Sequence, residues 1–231
     1  MSNWISFYDF KHSVIYVNAR HRDVHYRTIA EDIRAYVPSP DARVIDYGCG
    51  EASSAEVVAQ AADGLVLVEA APNVRAALNA RYASHPKIAV ISADEASELP
   101  DRSFDLVVMH SVAQYLSVAE LARLLALFRR IVKPEGLVIV GDIVPPRLAA
   151  PAAALSLLRF AAANGFFWTA AFGLVRIFVS DYLRLKKIVG LSHYTEAAML
   201  EKFKAAGFRA ERAGRNIGHN QWRMTFLARP A

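Results

Sequence analysis

Val44-Ile45-Asp46-Tyr47-Gly48-Cys49-Gly50 is the stretch on which the fold turns. An apolar run enters an acid and then two glycines spaced one residue apart, and a helical pattern follows from Ser53. Glycines let backbone approach a ligand with no Cβ in the way. A strand, a glycine turn and a helix in that order suit an adenosine-bearing ligand, although such turns recur across nucleotide-binding proteins.

Outward from this turn, short apolar runs alternate with helical patterns. Strands are expected at Arg43–Asp46, Leu65–Glu69, Ile88–Ser92, Phe104–Met109 and Leu137–Asp142, with later ones at Phe208–Arg212 and Trp222–Ala228. Helices are expected at Ser53–Ala62, with Ser53 and Glu56 as a capping box, and at Pro72–Ala83, with proline in its first turn. Ser117–Val132 carries a second capping box at Ser117 and Glu120, and Leu121, Leu124, Leu125, Phe128 and Val132 recur at helical spacing. Lys133-Pro134-Glu135-Gly136 reads as a turn, and Thr195–Ala206 as a helix capped by Thr195 and stopped by Gly207. Residues 1–40 read as a helical extension rich in aromatics and histidines, with an amphipathic helix over Arg27–Val37 ended by Pro38 and Pro40. Alternating strands and helices predict a doubly wound parallel sheet covered on both faces, with ligands beyond the carboxyl ends of its strands.

Three acids fall at three successive strand ends. Asp46 precedes the glycines, Glu69 ends the second strand and Asp94 follows the third. Any one of them reads equally well as a solvated loop acid. Together they converge on one crevice, where Glu69 is placed to accept from both ribose hydroxyls and Asp94 from an exocyclic amine.

As an ordered set these stretches resemble the class I S-adenosylmethionine-dependent methyltransferases. The matching residues are Val44–Gly50, Leu67–Ala70, Asp94–Pro100, Ser103–Val108, Lys133–Gly136 and Ala206–Phe208. The resemblance implies a Rossmann-like seven-stranded sheet of order 3-2-1-4-5-7-6 with strand 7 antiparallel. It implies S-adenosyl-L-methionine as cofactor, with Asp46, Tyr47, Gly48, Cys49 and Gly50 around its methionine part. Glu69 and Ala70 would then face the ribose, Asp94 and Glu95 the adenine, and His110 and Ser111 the fourth strand end. Ala52 stands where a third glycine is common.

Methyl transfer from a sulfonium mainly needs alignment and exclusion of water, and a hydroxyl acceptor gains from a general base. His110 is the first candidate base and His12 the second, each with a structural role as its alternative. His193 and His219 lie on loops within reach of the strand ends but read better as solvated, and His85 lies at the wrong end of the sheet. Cys49 is the only cysteine, which excludes a disulfide within the chain and a multi-cysteine metal site, and no metal is expected.

With 54% apolar and 21% charged residues the chain can bury a core, so disorder is not expected. The net charge is +5, and Arg147–Gly190 carries six cations against the single anion Asp181. The excess thus sits in one apolar insertion, about 147–190, within a methyltransferase domain spanning 41–231. Its uncharged run Phe160–Val175 is short for a membrane span. A cap over the acceptor pocket and an interfacial helix at an anionic membrane surface remain as readings. Both favour a small, apolar or amphipathic acceptor, even a lipid-linked one, with O-methylation ahead; nucleic acid is disfavoured. No secretory pattern opens the chain, so a cytoplasmic location is expected, with peripheral contact at the inner membrane surface if the interfacial reading holds. A non-catalytic adenosine-ligand module and a nicotinamide-dependent reductase are the competing functions. The reductase fingerprint wants glycine where Ser53 stands.

Overall fold

Alternation along the strands sets the architecture. In β1 (Arg43–Tyr47) Val44 and Ile45 are both fully buried, yet they join different cores. Val44 packs with Leu65, Leu67, Leu106, Val108 and Ile139, and Ile45 with Phe104, Val107, Met109, Val138 and Val140. Side chains of period two therefore face helices on both sides, as a fully covered parallel sheet requires. The computed structural model describes residues 9, 16, 18–146, 150–179 and 192–231.

The seven strands are β1, β2 (Gly64–Val68), β3 (Ile88–Ile91), β4 (Phe104–His110), β5 (Val132–Ile143), β6 (Phe208–Arg212) and β7 (Met224–Pro230). They are ordered β3-β2-β1-β4-β5-β7-β6. Strands β1 to β5 pair in parallel, and β7 runs antiparallel to both β5 and β6, in agreement with the expected sheet. One face is covered by α1 (Ala19–Arg34), α2 (Ala55–Ala59) and α3 (Pro72–Tyr82), through Ile29, Ile33, Val58, Val74 and Leu78. On the other, α5 (Val118–Ile131) and α8 (Glu196–Ala205) supply Leu121, Leu125, Phe128, Met199 and Phe203. The short α4 (Ala93–Ser97) follows β3. Between β5 and α8 stand α6 (Ala150–Ala163) and α7 (Phe167–Val179), joined at Gly165, whose φ is +75°.

Several boundaries depart from the sequence reading. Helix α1 begins at Ala19, because the Asn18 side chain accepts from His21 N at 2.7 Å and supplies an N-cap nine residues before the expected start. The Ser53–Glu56 capping box does not form. Ala52 takes a left-handed φ of +37°, the helix opens only at Ala55, and Ser53 Oγ is buried without a partner among the described residues. Ser117 and Glu120 do form their box, and Thr195 caps α8. Strand β5 starts at Val132, before the expected turn. Pairing jumps from Phe104↔Val132 to Leu106↔Leu137, so Lys133–Gly136 bulge from a continuous strand. Gly136 is obligatory there, since a Cβ would stand 2.6 Å from Val132 Cγ2.

Candidate active site

The carboxyl ends of β1, β2, β4 and β5 open into a cavity of about 480 Å³, a size suited to a cofactor-scale ligand. Its floor is the glycine turn. Gly48 has φ +76° and Gly50 φ +61°, and both Gly48 N and Cys49 N donate to Val68 O (2.8 and 3.2 Å). A Cβ on Gly48 would meet Val112 Cγ2 at 2.4 Å, so the position strongly favours glycine.

Glu69, only 3% exposed, is held beside that turn. Its two oxygens accept from Gly50 N (2.9 Å) and Ala71 N (2.8 Å), so one carboxylate staples the end of β1 to the end of β2. Burial pushes its pKa up, and the backbone donors pull against that. Each oxygen keeps a further lone-pair direction for a ligand hydroxyl. Asp46 also lines the cavity, and no donor among the described residues meets its carboxylate. Burial, then the neighbouring Glu69, raise its pKa to about 7. The Cys49 thiol is raised by burial and stays a neutral filler of the turn.

Tyr47, Ala70, His110 and Ser111 also line the cavity. Asp94 and Glu95 stand at its margin. Both are exposed on the first turn of α4, and neither is in the cavity wall, which Ala93 supplies instead. The Glu95 carboxylate is committed to Ser92, accepting from its N (2.7 Å) and Oγ (2.7 Å) in a capping box. Asp94 stands close enough to Tyr47 to add to the upward shift that burial gives the phenol.

His110, the first candidate base, is 9% exposed, lines the cavity and has both ring nitrogens against protein atoms. Nε2 meets Ile217 O at 3.2 Å and Nδ1 meets Ser111 Oγ at 3.1 Å. Ser111 Oγ donates to Asp142 Oδ2 (2.5 Å), which is paired with Arg223. Asn216 Oδ1 accepts from Asp142 N at 3.1 Å. The ring packs so closely over β5 that a Cβ on Gly141 would lie 2.8 Å from His110 Cδ2. His110 thus ties β4 to β5 and to the β6–β7 loop. Burial lowers its pKa, while Asp142 opposes the fall. Burial would raise Asp142, but Arg223 and His110 bring it below the ordinary carboxylate value. Ser111 and Asp142 carry φ values of +60° and +63°, so both strand ends store backbone strain at the site. His12 lies outside the described residues.

Among the described residues four histidines line the cavity: His110, His21 and His25 on α1, and His219 on the β6–β7 loop. The His25 and His219 ring centroids are 5.8 Å apart and those of His21 and His25 6.1 Å. Phe160 of α6 stacks on His219 at 4.4 Å, and Phe166 on His21 at 5.2 Å. Burial lowers the last three pKa values, to about 4 for His21 and His219 and about 3 for His25, so the rings are neutral at physiological pH. Neither His25 nor His219 has a hydrogen-bond partner for its ring nitrogens among the described residues. Sequence reasoning placed His219 in solvent and passed over His21 and His25, although their i, i+4 spacing on one helix face was a signal. His193 is exposed, as expected.

Three contacts hold this wall in place. Tyr26 Oη accepts from Glu51 N (3.0 Å), Asp32 accepts from Gly218 N (2.8 Å), and Arg20 Nε donates to Asn164 O (2.6 Å). They pin α1 to the glycine turn, the β6–β7 loop and the α6–α7 turn in that order.

Residues 45–140 match a family model described as a methyltransferase domain. No curated protein matches the chain in sequence. Among solved structures, the DhpI-SAH complex superposes with a TM-score of 0.62 at 14% identity, covering 98% of this chain and 95% of the other. Magnesium protoporphyrin IX methyltransferase from Synechocystis PCC 6803, with bound SAH, gives 0.61 at 15% identity, covering 93% and 88%. A complex of the Haloferax volcanii Trm112 methyltransferase activator with a methyltransferase gives 0.62 at 13%, covering 100% and 99%. At such identities the likeness is one of fold. The matched domain and the sheet order with its antiparallel β7 agree with the resemblance to the class I S-adenosylmethionine-dependent methyltransferases.

Proposed function

We propose that the chain transfers a methyl group from S-adenosylmethionine to an oxygen of a small, largely apolar acceptor. The residues suit that cofactor: a glycine turn with positive φ at Gly48 and Gly50, spare acceptor capacity on Glu69, and an Asp46 carboxylate with no donor among the described residues. When bound, the cofactor supplies an electrophilic methyl on a sulfonium. Glu69 would hold its ribose, and Asp46 would face its methionine ammonium.

The observation that carries the acceptor half of this reading is the neutral wall of His21, His25 and His219, backed by Phe160 and Phe166. A wall of uncharged rings favours an acceptor that sheds water readily and needs few polar contacts. We assign the proton from the acceptor hydroxyl to His25. Its ring lines the cavity with no partner for its nitrogens among the described residues, and Asp142, the smallest contributor, opposes the downward shift that burial and the neighbouring histidines impose. His110 and Ser111 act as positioning residues beneath it. An amphipathic acceptor, with a lipid-linked tail against α6, fits the same wall.

The test is a panel of hydroxylated apolar compounds incubated with labelled cofactor, for wild type and His25→Gln. The expected result is O-methyl product whose kcat falls about 100-fold in the variant, at the low end for general-base catalysis, with S-adenosylhomocysteine affinity unchanged. Product on nitrogen or carbon only, or full activity in the variant, refutes the assignment.

A further inference from the structure

The insertion faces two ways. Inward, Ala161, Phe166 and Ala170 are buried together, and Phe160 and Phe166 stack on the cavity histidines. Outward, Trp168 and Phe172 are each 73% exposed, with Phe167 and Leu155 also in solvent. Trp168 and Phe172 are one helical turn apart on α7, so they form a stripe. Val118 and Trp222 are the only other large apolar side chains exposed among the described residues, so the patch belongs to this hairpin.

Charge identifies what would cover it. The stretch 147–190 holds Arg147, Arg159, Arg176, Arg184, Lys186 and Lys187 against Asp181 alone, and this excess equals the net charge of the whole chain. Within the hairpin itself α6 and α7 carry Arg159 and Arg176 and no acid, so a second copy of the chain would bring like charge to the contact. An anionic lipid surface complements it, and tryptophan and phenylalanine beside cations suit the headgroup boundary. Among the described residues no helix is long and apolar enough to cross a membrane, so contact would be lateral.

We propose that the outer face of the α6–α7 hairpin docks on an anionic membrane surface through Trp168 and Phe172. Its inner face then places the acceptor wall next to the lipid layer. This extends the amphipathic-acceptor reading but does not require it, because docking is measured without any acceptor.

The test is sedimentation of the full chain with vesicles of phosphatidylcholine alone or mixed with phosphatidylglycerol. A Trp4→Phe/Trp222→Phe background leaves Trp168 as the sole tryptophan reporter, since the chain has three. We expect binding to the anionic vesicles with a blue shift of Trp168 emission. Binding should weaken about tenfold or more in Trp168→Ala/Phe172→Ala and fall at high salt. Both substituted residues are exposed and outside the cavity wall, so S-adenosylhomocysteine affinity and melting temperature should hold. No binding, equal binding to both vesicle types, or binding undiminished in the double variant overturns the proposal. So does a wild-type dimer that the double variant converts to monomer.

Discussion

Replacing Glu69 tests two roles with one substitution. In Glu69→Ala, Gly50 N and Ala71 N lose their acceptors in a nearly closed environment. Leaving a buried donor unpaired costs about 1–3 kcal/mol each, so the pair comes to about 3 kcal/mol if water reaches them in part. At roughly 2–4 °C per kcal/mol for a chain of this size, the melting temperature should fall by roughly 6–12 °C. The ribose loses its acceptors too, so S-adenosylhomocysteine affinity should drop more than tenfold. Glu69→Gln keeps one accepting oxygen and turns its amide donor toward the other N–H, so it should fall between. Calorimetric titration and a thermal melt on the same samples read both effects. A lowered melt with unchanged affinity would leave the staple and refute the ribose contact. The absence of both effects would refute the reading of the whole turn.

Three further outcomes follow from the geometry. Asp46, raised to about 7 by burial and Glu69, should release protons when the cationic cofactor binds near pH 6–7. Titrations in buffers of different ionisation enthalpy would show this, and Asp46→Asn should abolish it. His21, His25 and His219 have folded pKa values of about 4, 3 and 4. The unfolded chain takes up protons there from about pH 6.5 downward, while the folded chain resists until about 4. Stability present above 6.5 should therefore drain as pH falls toward 4, and denaturant midpoints should show a shallower loss in His219→Phe. Gly48→Ala should cost affinity and stability through both its positive φ and its contact with Val112, about 1–2 kcal/mol from φ alone. Adding Val112→Ala should restore part of the loss, and a melt of the double variant no better than the single one would count against the steric account.

What the sequence made legible was whatever depends on local pattern. The strand ends, the glycine turn, Glu69, and the caps at Ser117 and Thr195 are written in spacing and residue type. What it hid depends on neighbours distant in the chain. Ser53 has the residue type of a cap, but the left-handed Ala52 turns the chain past the geometry a cap needs. Glu95 looks like a ligand until its capping bond to Ser92 is seen. His110 sits at the expected strand end, yet Ile217 and Ser111, one of them over a hundred residues away, occupy its nitrogens. His25 gains its place from Tyr26 and Asp32 on its own helix, which tie that helix to the glycine turn and the β6–β7 loop.

A crystal structure of the chain grown with S-adenosylhomocysteine bears most directly on the central claim. The ligand's ribose hydroxyls should rest on Glu69, with its sulfur turned toward His25 and His219. Electron density placing the nucleoside away from Glu69, or the sulfur away from those two rings, would contradict the account.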